Sequence, residues 1–496
     1  MDNILLTGGT GLLGHYLLAE LLRRADTRVR VLLRPPLEDN ARRLSALLAD
    51  LDVNLAAMMK EGRVALLEGA LPELELDEGP LAGINRVIHA AANTSFDADA
   101  SGEPARTNVE GTRAMLALAE RIGARHFAYV STAYVCGKRA GRIPERVLDQ
   151  PPDSCNAYER SKWDAEQLVW DWRDATHAAT ICRPTILFGD SVHGRATTMR
   201  GLYLIARATE ILARAVADSA DADRHAVPLR IIGRSDATIN VIPVDWAAAR
   251  VAEIALDDDA RGLVHHIANP NPPTHQEIKE WLEAYFDLNG GRFCDKPWPL
   301  DGANHYEELF YSRSDAVHDY FRHDLSFESR RGESDDAARL IDREAFFAAL
   351  RYAQRTNWGR KRLTRNATRP ATGETVNPAW YFTEFLPDAI PRSEVARIDA
   401  LTTVARYIIT DCANGEWVCR FQNGDLAEVS GGPNGVREAF GYRVPHDEFS
   451  KAVRGRCPLQ DVFLEGGAEM FGDIDLALKM VSIMERFLQE FPVTSS

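Results

Sequence analysis

Thr7-Gly-Gly-Thr-Gly-Leu-Leu-Gly14 is the stretch that decides the fold. It follows a short apolar run, Ile4–Leu6, and opens a leucine-rich helical pattern over Leu12–Arg24. Gly8, Gly11 and Gly14 stand three residues apart. A side chain at such a turn would keep the backbone from approaching a pyrophosphate, and one further on would hold the helix off the sheet. The helix N-terminus then presents free N–H groups and the positive end of its dipole to phosphate. Between a strand and a helix, a glycine loop of this spacing reads as a dinucleotide fingerprint.

Outward from that loop, strand-like and helical patterns alternate to about residue 190. Arg28–Leu33, Val64–Glu68, Arg86–Ala90 and His126–Ser131 read as strands, and Gly111–Arg121 as a helix. The alternation predicts an α/β fold, a Rossmann-type doubly wound parallel sheet with ligands at the strand C-termini. In NAD binders an acidic residue ends the second strand, about 20 residues on, and takes the ribose hydroxyl. Here that strand ends Val31-Leu-Leu-Arg34. A guanidinium there suits a 2′-phosphate. Arg43, in the next helical stretch, offers a second contact, and the expected cofactor is NADPH.

The chain has 496 residues, too many for one core, since single cores stop growing at about 250–300 residues. We expect a reductase domain over 1–360, whose part from roughly 195 to 360 forms a substrate subdomain. A basic, proline-bearing linker over 361–395 and a C-terminal domain over 396–496 follow. The formal charge of −15 argues against nucleic-acid or anionic-membrane binding. No apolar run is long enough to span a bilayer, and the start lacks a basic leader. Seven cysteines, none in a Cys-x-x-Cys pair, imply neither a disulfide framework nor a metal site. A reducing cytoplasm is the expected compartment.

Tyr158-Glu-Arg-Ser-Lys162 places a phenol and an amine on one helical face. A tyrosine titrates at about 10 in water, and an adjacent ammonium is expected to lower that value. Tyr158 would then exchange a proton during hydride transfer. Upstream, Phe127-Ala-Tyr-Val-Ser-Thr132 ends in two hydroxyls at the ligand edge, and Thr132 or Ser131 can hydrogen-bond a substrate oxygen.

With these pieces in order, the first 190 residues resemble the extended short-chain dehydrogenase/reductase superfamily. The carrying motifs are Thr7–Gly14, His89-Ala-Ala-Ala92, Asn108-Val-Glu-Gly-Thr112, Val130-Ser-Thr-Ala-Tyr-Val-Cys-Gly137, Tyr158–Lys162 and Arg183-Pro-Thr-Ile-Leu-Phe-Gly-Asp190. Leu32-Leu-Arg34 with Arg43-Leu44, and Val130-Ser-Thr-Ala-Tyr-Val, resemble the acyl-thioester reductase branch, which holds fatty acyl-CoA reductases and reductive release domains. The resemblance implies that Thr132, Tyr158 and Lys162 are catalytic. It places Gly8, Thr10, Gly11, Leu12 and Leu13 at the pyrophosphate, and Arg34 and Arg43 at the 2′-phosphate. It sets Ala90, Ala91 and Asn108 along the cofactor cleft, and Pro184 and Ile186 near the nicotinamide. Glu68-Gly69-Ala70 departs from the family's usual Gly-Asp, and Cys136 takes a common tyrosine position.

The last hundred residues carry turn signals at Ala413-Asn414-Gly415 and Asn423-Gly424-Asp425 between strand-like runs, which predict a small antiparallel meander. A helix is expected from about Asp473, with apolar residues Ile474, Leu478, Val481, Met484, Phe487, Leu488 and Phe491. Trp417–Asp425, Pro445–Gly455 and Asp461–Lys479 resemble the α+β sterol-carrier-protein-2-like fold. That likeness implies a module that shelters a lipid.

The expected activity is NADPH-dependent reduction of an acyl thioester, on coenzyme A or an acyl carrier protein, to an aldehyde, which a second hydride could take to an alcohol. A reductase or dehydrogenase of a steroid or β-keto lipid is the alternative, since the same trio serves any carbonyl. A lipid-binding or transfer protein is a third reading. No adenylation or carrier module is seen ahead of the first strand, so the substrate is expected to arrive activated. The basic stretch Arg360–Arg369 is a candidate guide for an acidic carrier.

Overall fold

Ile4, Leu5 and Leu6 of β1 (Asp2–Thr7) are wholly buried, as a strand covered on both faces must be. Successive side chains point to opposite faces. Ile4 and Leu6 therefore enter one core, while Leu5 enters another with Val87 and Phe127. In this computed structural model the described residues are 2–77, 79–99, 101–218, 223–296, 298–314, 320, 324–330, 339–356, 358, 375–393, 395, 401–432, 438–455, 459, 462, 467–491 and 493. The chain divides into two units, Met1–Gly359 and Arg360–Ser496.

In the first unit β1 is followed by α1 (Leu12–Leu22), β2 (Thr27–Leu33), α2 (Leu37–Ala49), α3 (Leu55–Lys60), β3 (Val64–Glu68), β4 (Arg86–His89) and α4 (Gly111–Arg121). Then come β5 (His126–Val130), β6 (Gly141–Ile143), α5 (Ala157–Asp171), β7 (Ala178–Pro184), β8 (Ile186–Phe188) and α6 (Leu202–Asp218). The unit continues through β9 (Arg230–Ile232), β10 (Val241–Pro243), α7 (Val244–Leu256), β11 (Val264–Ile267), α8 (His275–Phe286), β12 (Arg292–Cys294), α9 (His305–Ser314), β13 (Leu325–Phe327) and α10 (Arg343–Arg355). The main sheet has the order β11-β7-β5-β4-β1-β2-β3, and every pairing is parallel. The chain reverses direction across the sheet between β3 and β4, so a crevice opens at the C-terminal ends of β1 and β4.

Helix α1 is apolar nearly all round, which fits its place between the sheet and α7. Small residues of α7, Ala247, Ala248, Ala252 and Ala255, are fully buried and allow that approach. This corrects the expected substrate subdomain over 195–360. Its α7 and β11 return to the main sheet, and α6, α8 and α10 build a separate core around Leu212, Ile278 and Phe346.

The second unit holds β14 (Thr403–Thr410), β15 (Glu416–Gln422), β16 (Asp425–Gly431), β17 (Phe440–Pro445), α11 (His446–Val453), β18 (Glu469–Gly472) and α12 (Ile474–Glu490). The expected meander is β14-β15-β16, and Asn423 and Gly424 turn it with φ of 52° and 86°. Beyond that, β17 runs parallel to β14, and β18 antiparallel to β17. The linker expectation for 361–395 needs correcting at its second half. Val376 and the helical segment 378–392 bring Tyr381, Phe382, Leu386 and Ile390 into this unit's core. Pro378 opens this segment, where no N–H is needed, and Pro387 and Pro391 lie further along it. The basic stretch 360–369 lies outside the described residues. Among the described residues no helix is long and apolar enough to cross a membrane, and no cluster of metal-ligating side chains occurs.

Candidate active site

The loop between β1 and α1 is held by backbone contacts that exclude side chains. Gly8 has φ +76°, and a Cβ on it would lie 2.7 Å from the Ala90 and Ala91 backbone. A Cβ on Gly14 would lie 1.9 Å from the Gly8 carbonyl oxygen, so glycine is what lets helix and loop touch. Gly11 N donates to Gly8 O at 2.9 Å and closes the turn. Gly11 is also the N-cap of α1, and no side chain caps it. The first-turn amides of Leu12 and Leu13 therefore face an uncapped end, the arrangement that binds a pyrophosphate. These residues fit a bound dinucleotide.

A chain of hydrogen bonds ties this loop to the rest of the crevice. Ala91 N donates to Thr7 Oγ1 at 3.1 Å, and Thr7 Oγ1 lies 2.7 Å from His89 Nδ1. His89 Nε2 lies 3.2 Å from Thr112 Oγ1, whose hydroxyl donates to Asn108 O at 2.6 Å. Burial, and then the charge of Lys162, pushes the His89 pKa down to about 3, so the ring is neutral. The Thr112 proton is already committed, so Nε2 carries the ring proton and Nδ1 accepts from Thr7. His89 is an internal strut with no exposed surface. Asn108 is a strut of the same kind. Its Nδ2 donates to Asn93 O at 2.8 Å and Ser161 Oγ at 2.9 Å, and its Oδ1 accepts from Asn93 N at 2.8 Å. Ser161 in turn donates to Tyr158 O at 2.7 Å. Asn108 thus fastens the loop after β4 to α5.

The trio sits where β5 ends and α5 begins. Thr132 is the N-cap of a short 3-10 turn, Ala133–Cys136, and its Oγ1 accepts from Tyr134 N at 3.2 Å, which leaves its hydroxyl proton to donate. Ser131 Oγ is enclosed and has no hydrogen-bond partner among the described residues. Helix α5 starts at Asn156, whose side chain accepts from Glu159 N at 2.9 Å. Tyr158 lies in its first turn and is half-buried. One turn on, Lys162 is buried, with Nζ donating to Val130 O at 2.7 Å and lying 4.2 Å from the Tyr129 ring centre. Burial brings the Lys162 pKa down to about 7 against the pull of Glu166. The expected acidification of Tyr158 does not occur. Burial, and then the Glu159 carboxylate, raises the phenol above its ordinary value. The Lys162 amine, which donates to Val130 O, does not offset this.

Below the trio, Arg183 and Glu166 form a wholly buried two-armed ion pair, with Nε–Oε1 2.8 Å and Nη2–Oε2 2.6 Å. The pair pins α5 to β7 and so sets the height of Lys162. Pro184 is buried at the end of β7, and Ile186, half-buried, opens β8 beside it.

Arg34 is exposed just past β2, and Arg43 is exposed on α2. Neither forms an ion pair among the described residues. Glu68, at the end of β3, accepts from Leu37 N at 2.8 Å and so caps the start of α2. Two residues of the site escape the sequence reading. Glu159 is fully buried beside Tyr158, and Tyr320 donates to it from a distant segment. The Asn-x-x-Glu spacing of Asn156 and Glu159 is a helix-start signal that could have flagged the first. No local signal points to the second.

Residues 6–251 match a family described as male sterility protein. A linear gramicidin synthase protein of Brevibacillus parabrevis is 25% identical over 390 residues, 73% of this chain and 7% of that protein. Fatty acyl-CoA reductase 1 of Gallus gallus is 31% identical over 183 residues, 34% of this chain and 35% of that protein. The chain thus spans a minor part of both curated relatives. Among solved structures, the terminal R domain from the myxalamid PKS-NRPS biosynthetic pathway has a TM-score of 0.56 at 22% identity, covering 72% of this chain and 92% of that one, which shows a shared fold. The likeness to the male sterility protein family thus spans residues 6–251, just under half of the chain, and the likeness to the R domain is one of fold.

Proposed function

We propose that this enzyme reduces an acyl thioester, on coenzyme A or an acyl carrier protein, to the aldehyde with NADPH, and that a second reduction to the alcohol is open to the same site. The feature that carries this reading is the position of Thr132 just after β5 and of Tyr158 on α5, in a parallel sheet whose β1 leads into an uncapped, glycine-lined helix N-terminus, in a chain partly similar to fatty acyl-CoA reductase 1. NADPH is favoured over NADH by the exposed Arg34 and Arg43, free of ion pairs among the described residues.

The bound nicotinamide supplies a hydride. Thr132 donates a hydrogen bond to the thioester oxygen and fixes the carbonyl. Tyr158, kept neutral by its surroundings, is in the form needed to give that oxygen a proton as the C–H bond forms. The hemithioacetal then loses its thiol and leaves the aldehyde. Lys162 holds the end of β5 through Val130 O, and with it the height of Thr132.

The reading assigns residues 1–360 to the reductase and the second unit to holding the acyl chain. A small apolar cavity of about 60 Å³ lies in that unit among Tyr381, Leu386, Tyr442, Phe449, Met484 and Leu488. The likeness to the sterol-carrier-protein-2 fold supports this role. The test is a panel of long-chain acyl-CoA and acyl-carrier substrates with NADPH, followed by loss of nicotinamide absorbance, free thiol and product mass. Thiol release with aldehyde or alcohol supports the reading. Turnover of a steroid or β-keto lipid without thiol release would move the assignment to a ketone reductase.

A further inference from the structure

Tyr320 lies 161 residues from Glu159 in the chain, yet it touches the elements that carry both proposed reacting hydroxyls. Its O–H donates to Glu159 Oε1 at 2.5 Å, and its oxygen accepts from Asn156 Nδ2 at 3.0 Å. Asn156 is the N-cap of α5, and Glu159 follows Tyr158 directly. The other Glu159 oxygen accepts from Cys155 N at 2.8 Å. One phenol oxygen therefore closes a ring of hydrogen bonds around the first turn of the helix that bears Tyr158. The Tyr320 ring stands edge-on to Tyr134, centroids 5.0 Å apart, and Tyr134 N is the donor that orients Thr132 Oγ1. Phe96 closes the third side, with its ring 6.3 Å from Tyr320 and its carbonyl accepting from Ala157 N at 2.9 Å.

Position in sequence cannot explain this convergence, and stability alone does not require it. The Thr132 turn and the α5 start each have local caps of their own, so neither needs a distant tyrosine in order to form. What the distant side chain adds is a fixed relation between the two. Two hydroxyls that must meet one carbonyl oxygen need that relation held closely, because a misplacement of about 1 Å costs on the order of a hundredfold in rate.

We propose that Tyr320 is a positioning residue that sets the geometry of Thr132 against Tyr158 by bracing the start of α5 and the Thr132 turn together. This rests on the reading of those two as the reacting pair. The test is Tyr320→Phe in the full chain, which keeps the ring and removes the O–H. The expected result is a fall in kcat of about tenfold, with KM, NADPH affinity and Tm near wild type. Amide exchange at Cys155 and Glu159 should quicken in the same variant, with or without substrate. Glu159→Gln, which keeps an acceptor for the phenol, should retain more kcat than Glu159→Ala. A Tyr320→Phe enzyme with unchanged kcat, or with unchanged exchange at those amides, overturns the proposal. If wild type turns over no thioester, the function reading fails by itself. Tyr320 is then judged on whichever carbonyl substrate is reduced and, if none is, on the exchange alone.

Discussion

Lys162 Nζ donates to the Val130 carbonyl at 2.7 Å, so the amine of the Tyr-x-x-x-Lys pair is anchored to the end of β5. It lies over the Tyr129 ring and beside neutral His89, in surroundings that offer a cation little solvation. The amine is consequently poised to titrate at about 7.

A stability difference follows from that depression. In the unfolded chain a lysine titrates at about 10.4. Between about 7 and that value the unfolded state binds more protons at this position than the folded state, so stability rises with pH across the window and is flat below it. Wild type should gain stability relative to Lys162→Met between neutral pH and pH of about 9. Denaturant titrations of the two proteins at both pH values measure this, and a difference that is constant with pH would contradict it.

Tyr158→Phe removes the proton donor but leaves the packing of α5. General acid assistance contributes about a hundredfold to ten-thousandfold, so kcat should fall by that much. NADPH affinity, read by fluorescence titration, should stay near wild type. Full activity in the variant would end the proton-transfer assignment.

The cofactor choice is tested at Arg34. Hydrogen bonds to charged groups contribute about 1.5–3 kcal/mol, so Arg34→Ala should weaken NADPH binding by roughly tenfold to a hundredfold. NADH binding should be little changed, because it has no 2′-phosphate to lose. Equal losses for both cofactors would place Arg34 outside the cofactor site.

Gly14→Ala puts a Cβ 1.9 Å from the Gly8 carbonyl oxygen, which is backbone and cannot swing aside. The loop must then shift, and affinity for either dinucleotide should drop by more than about tenfold. Gly79→Ala is a control, since no atom lies within 4 Å of its Cβ position, and it should bind cofactor normally. Calorimetry on the two variants separates loop distortion from general loss of stability.

Glu166→Ala would leave the Arg183 guanidinium buried without its carboxylate. Breaking a buried pair in this way costs about 3–5 kcal/mol. Replacing both partners by apolar residues of similar volume should cost much less. Urea unfolding of the single and double variants gives the comparison.

Much of the first unit was legible because its signals are local. Val64–Glu68 and Gly111–Arg121 have the boundaries that hydrophobic patterning predicts, and Gly8 and Gly14 are required by close backbone contacts within and beside the loop. The segment 378–392 misled because its prolines read as breaks, while Tyr381, Phe382 and Leu386 were free to be core only once a sheet lay beneath them. Spacing also placed Tyr158 and Lys162 on one helix, a turn apart. It could not weigh burial against charge, and so it gave the phenol shift the wrong sign.

The amino-acid order by itself determined the strand–glycine–helix start and the parallel α/β alternation. Each depends on neighbours within a few residues and on their periodicity. The tertiary structure alone decided the proton locations on His89 and Lys162, the bracing of α5 by Tyr320, and the return of α7 and β11 to the main sheet. Those outcomes depend on desolvation and on contacts between residues far apart in the chain, which exist only after the chain has packed.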